Sequence, residues 1–242
     1  MKITLSAFSL LLSTLFLLGC TAESADPNPF DEAEKMKAPK FAPLPVPDES
    51  NIPETAEVAT VGGGCFWCTE EVFHQVDGVY SVVSGYMGGT PKDANYKAVS
   101  GGRTDHAEVI QIHYDPTKIS FEGILDVFWN SHDPTTLNRQ GPDRGPQYRS
   151  AIFYHSPEQK MLAEASKQKA DASGKFTNPI VTEITEAPEF YVAEDYHQNY
   201  ARLNPGNPYL HQQLFPKLMK LGMTIPMGTS AKEVKGSGTR PK

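Results

Sequence analysis

The sequence of 242 residues contains only three cysteines, Cys20, Cys65 and Cys68. The chain therefore has one CxxC pair and no second pair to complete a four-cysteine zinc site. Adding His74 to the pair still leaves the ligand set incomplete, so we expect no metal. The chemistry of this chain depends on what Cys65 and Cys68 do.

Positive charge is also scarce. The chain carries 22 Lys and Arg against 29 Asp and Glu, a formal net charge of −7 at pH 7. No basic stripe is available to neutralise phosphate groups, which excludes a nucleic-acid partner. Long apolar runs are missing too. Because no run reaches the 18 residues expected of a membrane-spanning segment, the sequence predicts no such helix.

The N-terminus is predicted to be an export signal. A Met-Lys start precedes residues 3–18, which are mostly apolar but too short to span a membrane. The run LLGC that ends at Cys20 resembles the lipobox of bacterial lipoproteins, which implies cleavage before Cys20 and lipid on its sulfur. Residues 1–19 are therefore predicted to be a lipoprotein signal peptide. An ordinary signal peptide followed by a chance cysteine is the alternative.

A disordered, lipid-anchored tether is predicted at residues 20–50, which hold six prolines and few bulky apolar side chains. Several acyl chains, at ~0.8 kcal/mol per buried CH₂, would hold the protein stably on a membrane. Thr21, and not Asp, follows the lipidated position. This implies an exported protein on the periplasmic face of the outer membrane. Residues 226–242 are polar, and we expect a second disordered tail there.

The folded domain is predicted to cover residues 51–225. Strands are expected at 58–61, 79–84, 108–114, 151–154 and 180–184, and helices at 65–73, at 121–128 and from Ser156 onward. Loops are expected at 85–92 and at 130–147, and a loop as long as the second is usually functional. Strands and helices interleave irregularly, which favours an α+β fold over a regular doubly wound sheet.

The pair Cys65 and Cys68 stands at the predicted start of a helix. The macrodipole favours an anion there, so we expect a lowered pKa and a nucleophilic thiolate at Cys65. Cys68 lies near the same helix face, with its Cβ atom about 5–6 Å away, so a disulfide could close after modest adjustment. The pair could exchange disulfides with other proteins, or be oxidised while a small substrate is reduced. Two inert buried cysteines are a third possibility.

Several segments, in order along the chain, resemble the peptide methionine sulfoxide reductase A family. GCFW at 64–67, followed by Glu70 and Phe73, is similar to the active-site motif of that family. The other matching segments are GVY at 78–80, SGY at 84–86, GG at 88–89, NY at 95–96, residues 102–108, HDP at 132–134, residues 139–143, Gly145 with QYRS at 147–150, and AEDYHQ at 193–198. The resemblance covers residues 59–208, and the ordered set is far more specific than any single motif.

This sequence departs from the common pattern of the family at the cysteines. Many family members have Gly at the position of Cys68 and keep recycling cysteines near the C-terminus, whereas no cysteine follows Cys68 here. The segment NPGNPY at 204–209 resembles the subgroup that carries CFWC. Cys68 is therefore the candidate for resolving an oxidised Cys65, since lipidation disfavours Cys20.

The resemblance implies a role for each site residue. Reducing a sulfoxide requires a nucleophile at sulfur and proton donors at oxygen. The implied roles are nucleophile for Cys65, resolving thiol for Cys68, acid for Glu108, sulfoxide-binding phenols for Tyr96 and Tyr148, orienting group for Asp143, and methyl pocket for Phe66 and Trp67. Asp195 and His197 either line the pocket or brace a loop, and His106 is expected to be structural.

The resemblance also implies a fold and an activity. The fold would be a two-layer α+β domain with a mixed, ferredoxin-like β-sheet and flanking helices. The activity would be thiol-dependent reduction of methionine-S-sulfoxide, free or in oxidised proteins, by a monomer without a bound cofactor. A thioredoxin-like donor, or dithiothreitol in vitro, would reopen the disulfide. The alternative is a protein thiol–disulfide oxidoreductase that uses the CFWC pair directly.

Overall fold

The computed structural model describes residues 41–42 and 51–227. The strands are β1 (Phe41–Ala42), β2 (Glu57–Gly63), β3 (Val79–Met87), β4 (Ala107–Tyr114), β5 (Arg139–Gln140), β6 (Asp143–Arg144), β7 (Ser150–Tyr154), β8 (Glu183–Glu186), β9 (Tyr191–Val192) and β10 (Ile225–Pro226). The α-helices are α1 (Phe66–His74), α2 (Tyr96–Val99), α3 (Phe121–Ser131), α4 (Pro157–Ala172), α5 (Tyr200–Leu203), α6 (Pro208–Gln213) and α7 (Phe215–Lys220). Within these described ranges, no helix combines the length and apolar character that a bilayer crossing requires.

A six-stranded sheet in the order β8-β7-β2-β4-β3-β9 forms the middle of the domain. β2 pairs antiparallel with β4 and β7, β4 pairs antiparallel with β3, and β8 joins β7 in parallel. Along the chain, β2, α1, β3, β4, α3 and β7 follow one another as in a ferredoxin-like βαββαβ unit. The mixed sheet with flanking helices confirms the predicted α+β fold.

Serine side chains begin the two longest helices. Ser120 Oγ accepts a hydrogen bond of 3.2 Å from the Gly123 N–H, and Ser156 Oγ accepts one of 3.2 Å from the Gln159 N–H. Pro157 occupies the first position of α4, where an N–H would have had no partner inside the helix. These caps confirm the helix starts that the sequence predicts.

The central strand β4 alternates its side chains between two cores. Ile110 and Ile112 join the larger core, which also contains residues of α1 and α3, whereas Ala107 and Val109 join a smaller core. Glu108 has the parity of Ile110, so its side chain lies on the face of the larger core and the residue is 2% exposed. Strand alternation thus carries a carboxyl group into an apolar region beside α1.

The loop predicted at 85–92 begins only after Met87, so its predicted start is wrong. β3 continues because Gly85 and Tyr86 pair with Val109 and Glu108 of β4. This pairing buries Tyr86 completely and places it opposite Glu108.

The strand predicted at 180–184 begins at Glu183 instead. The Val181 N–H donates to the Pro134 carbonyl over 2.9 Å, and Lys167 Nζ donates to the Thr182 carbonyl over 2.6 Å. These partners outside the sheet occupy backbone groups that a longer strand would have used. Pairing with β7 therefore starts only at Glu183.

Two residues of the predicted tether form regular structure. β1 pairs in parallel with β10, with Phe41 opposite Ile225 and Ala42 opposite Pro226. The predicted signal peptide, Cys20, the other residues of the predicted tether and residues 228–242 lie outside the described residues, and the predictions for them stay predictions.

Candidate active site

A glycine turn carries the chain from β2 into α1. Gly64 has a φ of +92°, and a Cβ atom there would lie 2.5 Å from Gln140 Cγ, so both conformation and space favour glycine. The turn leaves Cys65 as the N-cap residue of α1. Cys65 therefore stands at the helix terminus, as predicted from the sequence.

Glu108 is tied to the first turn of the same helix. The Phe66 N–H donates a hydrogen bond of 3.1 Å to Glu108 Oε2. Burial raises the pKa of Glu108 well above its ordinary value, and negative charge on Cys65 and Asp143 raises it further, while the Phe66 N–H opposes them. A carboxyl group in this setting stays protonated where an exposed one would ionise, which suits it to donate a proton.

A cavity of about 290 Å³ collects the predicted catalytic and pocket residues. The residues that line it are Cys65, Phe66, Trp67, Tyr96, Glu108, Asp143, Tyr148 and Tyr209. All of these residues except Tyr209 are predicted from the sequence. The seven predicted residues come from the start of α1, from α2, β4 and β6, and from a 3₁₀ turn at Pro146–Tyr148. Segments far apart along the chain thus place a thiol, a carboxyl group and phenols around one space.

The two predicted phenols are held differently. Tyr96 begins α2, and its N–H donates to Glu194 Oε1 over 2.9 Å. Tyr148 ends the 3₁₀ turn. Burial first, and then the charges of Glu108 and Cys65, raise the pKa of each phenol above its ordinary value. Both phenols therefore remain hydrogen-bond donors at neutral pH.

Phe66 and Trp67 form the apolar part of the cavity. The Trp67 indole stacks on Tyr200, with 3.8 Å between ring centroids and 11° between planes. Its Nε1–H donates to His197 Nδ1 over 3.0 Å. Stacking and a hydrogen bond together fix the indole, so the wall has a set shape for a small apolar group.

His197 braces this wall and does not line the cavity. The residue is completely buried, its ring lies 4.6 Å from that of Tyr96, and burial lowers its pKa. Asp195 is exposed and is not a lining residue. His106 is also buried and accepts a 3.2 Å hydrogen bond from the Gly89 N–H, in keeping with a structural role.

Cys65 and Cys68 are both free thiols, and their side chains lie close enough to shift each other's pKa. Cys65 lines the cavity and is 9% exposed, whereas Cys68 does not line it and is 1% exposed. Burial raises the pKa of Cys65 well above its ordinary value, and the Trp67 N–H lowers it by less. The lowered pKa expected at Cys65 is therefore wrong here, because burial outweighs the helix terminus. The neighbouring Cys65 side chain lowers the pKa of Cys68.

Tyr209 is the lining residue that the sequence reasoning missed. Its hydroxyl donates to Asp143 Oδ2 over 2.5 Å, and the phenol lies close enough to Cys65 and Cys68 to favour the thiolate form of each. Asn207 and Pro208 carry a typical helix-start pattern, and α6 does begin there. That pattern could have predicted the helix, but no local signal links Tyr209 to cysteines some 140 positions away.

A larger cleft of about 640 Å³ lies elsewhere. Its lining includes Glu57, Glu122, His155 and Glu158, but no cysteine and no tyrosine. It therefore offers no thiol for redox chemistry. In the part of the chain that the structure describes, no three His, Cys, Asp or Glu side chains are placed to hold a metal ion.

Sequence comparison identifies the family to which this arrangement belongs. The model of the peptide methionine sulfoxide reductase family matches residues 57–225. A peptide methionine sulfoxide reductase MsrA from Leptospira borgpetersenii is 57% identical over 164 residues, which are 68% of this chain and 92% of the relative. MsrA 1 from Rhodopirellula baltica is 51% identical over 182 residues, 75% of this chain and 91% of the relative.

Solved structures are similar as well. The reduced form of Mxr1 from Saccharomyces cerevisiae superposes with a TM-score of 0.60 and 36% identity, covering 71% of this chain and 92% of that one. Methionine sulfoxide reductase A of Corynebacterium diphtheriae gives a TM-score of 0.58 and 34% identity, covering 71% and 90%. With its cysteine, carboxyl group and phenols gathered in one cavity, this chain belongs to the peptide methionine sulfoxide reductase family and is an enzyme that reduces methionine sulfoxide.

Proposed function

We propose that this enzyme reduces methionine-S-sulfoxide, free or in oxidised proteins, through a cycle carried by Cys65 and Cys68. The observation that carries the proposal is the single cavity in which the Cys65 thiol meets the Glu108 carboxyl group and the phenols of Tyr96 and Tyr148. A sulfoxide pairs a polar oxygen with an apolar methyl group. The cavity offers proton donors for the first and an aromatic wall for the second.

In the first step, the sulfur of Cys65 attacks the sulfoxide sulfur. Tyr96 and Tyr148 hydrogen-bond the oxygen, Glu108 protonates it, and a bond forms between the two sulfur atoms. The S–O bond of the substrate then breaks as its hydroxyl group transfers to the sulfur of Cys65, the bond between the two sulfur atoms breaks, and Cys65 is left as a sulfenic acid while methionine is released. The sulfoxide sulfur gains the two electrons that Cys65 loses, and the thiol proton replaces the one that Glu108 donates. Because the pKa values of Cys65 and Glu108 are both raised, the site enters this step with both protons in place.

In the second step, Cys68 attacks the sulfenic acid of Cys65, a disulfide forms and water leaves. The short CxxC spacing and the closeness of the two free thiols support Cys68 as the resolving thiol. We infer that the chain belongs to the CFWC subgroup. A thioredoxin-like donor, or dithiothreitol in vitro, then reduces the disulfide. The reacting groups are all side chains of this enzyme, and no bound cofactor enters the cycle.

A general protein thiol–disulfide oxidoreductase is less well supported. Simple disulfide exchange passes only through sulfur atoms and does not require the two phenols that line the cavity beside Cys65.

The experiment that tests this function is a stereoresolved methionine sulfoxide assay with dithiothreitol. The wild-type enzyme should consume the S epimer at sulfur and leave the R epimer, and Cys65→Ser should consume neither. Equal consumption of both epimers, or activity that survives Cys65→Ser, would contradict the proposal. Reduction of a disulfide-bonded test protein by the wild type, without sulfoxide reduction, would favour the oxidoreductase alternative.

We further propose that Cys20 carries lipid and anchors the enzyme, as a monomer, to the periplasmic face of the outer membrane. The support comes from the LLGC run and the proline-rich, acidic segment that follows it. Full-length protein should partition with membranes, whereas Cys20→Ala should not mature normally. An unmodified mature N-terminus beyond Cys20, found by mass spectrometry, would contradict the anchor.

A further inference from the structure

Tyr209 occupies a position that the reaction scheme has not used. Its phenol lines the cavity, with its ring edge-on to that of Trp67 at 6.2 Å between centroids. Its hydroxyl donates to Asp143 Oδ2, and the phenol lies close enough to both cysteines to favour the thiolate form of each. Asn207 secures the backbone, since its Oδ1 accepts the Tyr209 N–H over 2.9 Å. A phenol that shares the cavity with Cys65 and lies near Cys68 stands where a proton could pass between the two sulfur atoms.

Closing the disulfide is a proton-transfer problem as well as a redox step. The sulfur of Cys68 must lose its proton before or while it attacks the sulfur of Cys65. The S–O bond of the sulfenic acid breaks, and the leaving oxygen needs a proton because hydroxide is a poor leaving group. The electron pair of the Cys68 sulfur forms the S–S bond, the S–O pair leaves with the oxygen, and one proton moves from a thiol to that oxygen. The products are one disulfide and one water.

We propose that Tyr209 is the acid–base group of disulfide closure, giving its hydroxyl proton to the oxygen that leaves Cys65 and taking up the proton of Cys68. The inference rests on the proposed two-cysteine cycle. The phenol ends the step as it began, so no proton from solvent is needed. A hydroxyl rotates about its C–O bond, so the group that donates to Asp143 can turn toward the sulfenic oxygen.

The surroundings of Tyr209 fit this role. Burial and the charges of the two cysteines raise its pKa, so the phenol keeps the proton that it must donate. Asp143 accepts from the hydroxyl and fixes its position between reactions. Glu108 and Tyr148 instead serve the sulfoxide oxygen in the first step. Each step of the cycle thus has its own proton donor.

The test separates the two steps in rapid-quench single turnovers of the full-length enzyme, without added thiol. Released methionine reports the first step, and the loss of the titratable thiol at Cys68 reports closure. In Tyr209→Phe, methionine release should stay within a few-fold of wild type, while closure should slow by about 10²-fold or more, the range of a lost general acid. Tyr148→Phe is the matched control, and it should slow methionine release and leave closure unchanged.

Small buffer acids then distinguish proton transfer from positioning. If Tyr209 moves the proton, closure in Tyr209→Phe should speed up in proportion to the concentration of imidazole buffer at fixed pH and ionic strength, and wild type should not respond. Asp143→Asn, which keeps the phenol, should slow closure less than Tyr209→Phe does. An unchanged closure rate, or a slowed rate that buffer does not restore, would overturn the proposal. Absence of methionine release from wild type would instead overturn the proposed function.

Discussion

The backbone N–H of Phe66 donates to Glu108 Oε2 over 3.1 Å and so joins the helix that carries Cys65 to the central strand. The bond satisfies one of the N–H groups that have no partner inside a helix at its first turn. It also orients the carboxyl group, so that the other oxygen is the one that can carry a proton. Nucleophile and acid are therefore positioned by one shared contact.

Replacing Glu108 with Gln should reduce turnover far more than substrate affinity. The amide still accepts from the Phe66 N–H and can donate to the sulfoxide oxygen, but it cannot release a proton to it. A loss of about 10²–10⁴-fold in kcat is expected for a missing general acid, with little change in KM. Steady-state kinetics with methionine-S-sulfoxide measures both constants. Unchanged kcat in a folded variant would remove Glu108 from the mechanism.

The same substitution should change how stability depends on pH. The folded-state pKa of Glu108 is raised, so its contribution to stability is complete below the unfolded pKa and is lost as the pH rises toward the folded value. Wild type should lose stability relative to Glu108→Gln as the pH rises above about 4.5, by at most about 1.4 kcal/mol per pH unit. Glu71, whose pKa is also raised, is present in both proteins and cancels. Urea unfolding measures the free energy of unfolding of both proteins at each pH. An equal change with pH in wild type and Glu108→Gln would contradict the prediction.

The sequence could predict site residues that neighbouring residues place, but not those that contacts between distant segments place. The role of Glu108 was implied only by the family resemblance, and Cys65 at the helix start follows from the glycine turn. Tyr209 does not, because it reaches the cysteines only after α6 folds back onto the site. The sign of the pKa shift at Cys65 was also missed, since burial is a property of the whole fold.

The secondary structure also divides into elements that the local sequence predicts and elements that depend on tertiary contacts. The ferredoxin-like unit follows from runs of 5 to 11 residues with clear periodicity, such as β2 and β4, and from the Ser120 cap of α3. Helices α2 and α5, of four residues each, are too short to leave a periodic signal. They form because of tertiary contacts, such as the bond from the Tyr96 N–H to Glu194.

His197 should control the shape of the methyl pocket through Trp67. His197→Phe keeps an aromatic ring but leaves the indole N–H without its acceptor, which costs about 1–3 kcal/mol of stability when such a group is buried. The freed indole should raise KM several-fold and change kcat less. Ser166→Ala is a matched control, because Ser166 accepts from the Trp129 indole over 2.8 Å, away from the cavity lining. The control should lose stability with KM unchanged, and equal KM values in both variants would contradict this role.

The reducing donor should attack Cys65 and not Cys68. Cys65 borders the cavity, whereas Cys68 is 1% exposed, and Cys68, whose pKa is lowered, is the better leaving group. A thioredoxin variant that keeps only its attacking cysteine should form a mixed disulfide with the oxidised enzyme. After acid quench and alkylation, chymotryptic cleavage after Phe66 or Trp67 separates the two cysteines for mass spectrometry. Donor attached at Cys68 would contradict the prediction.

The central claim is that Cys65 is the nucleophile and Cys68 the resolving thiol, and single-turnover methionine release in the two serine variants tests it most directly. Cys65→Ser should release no methionine. Cys68→Ser should release about one equivalent per enzyme and stop as a sulfenic acid that a dimedone probe labels at Cys65. Its turnover with thioredoxin should collapse, because that donor attacks a disulfide. Methionine release by Cys65→Ser, or wild-type turnover of Cys68→Ser with thioredoxin, would contradict the account.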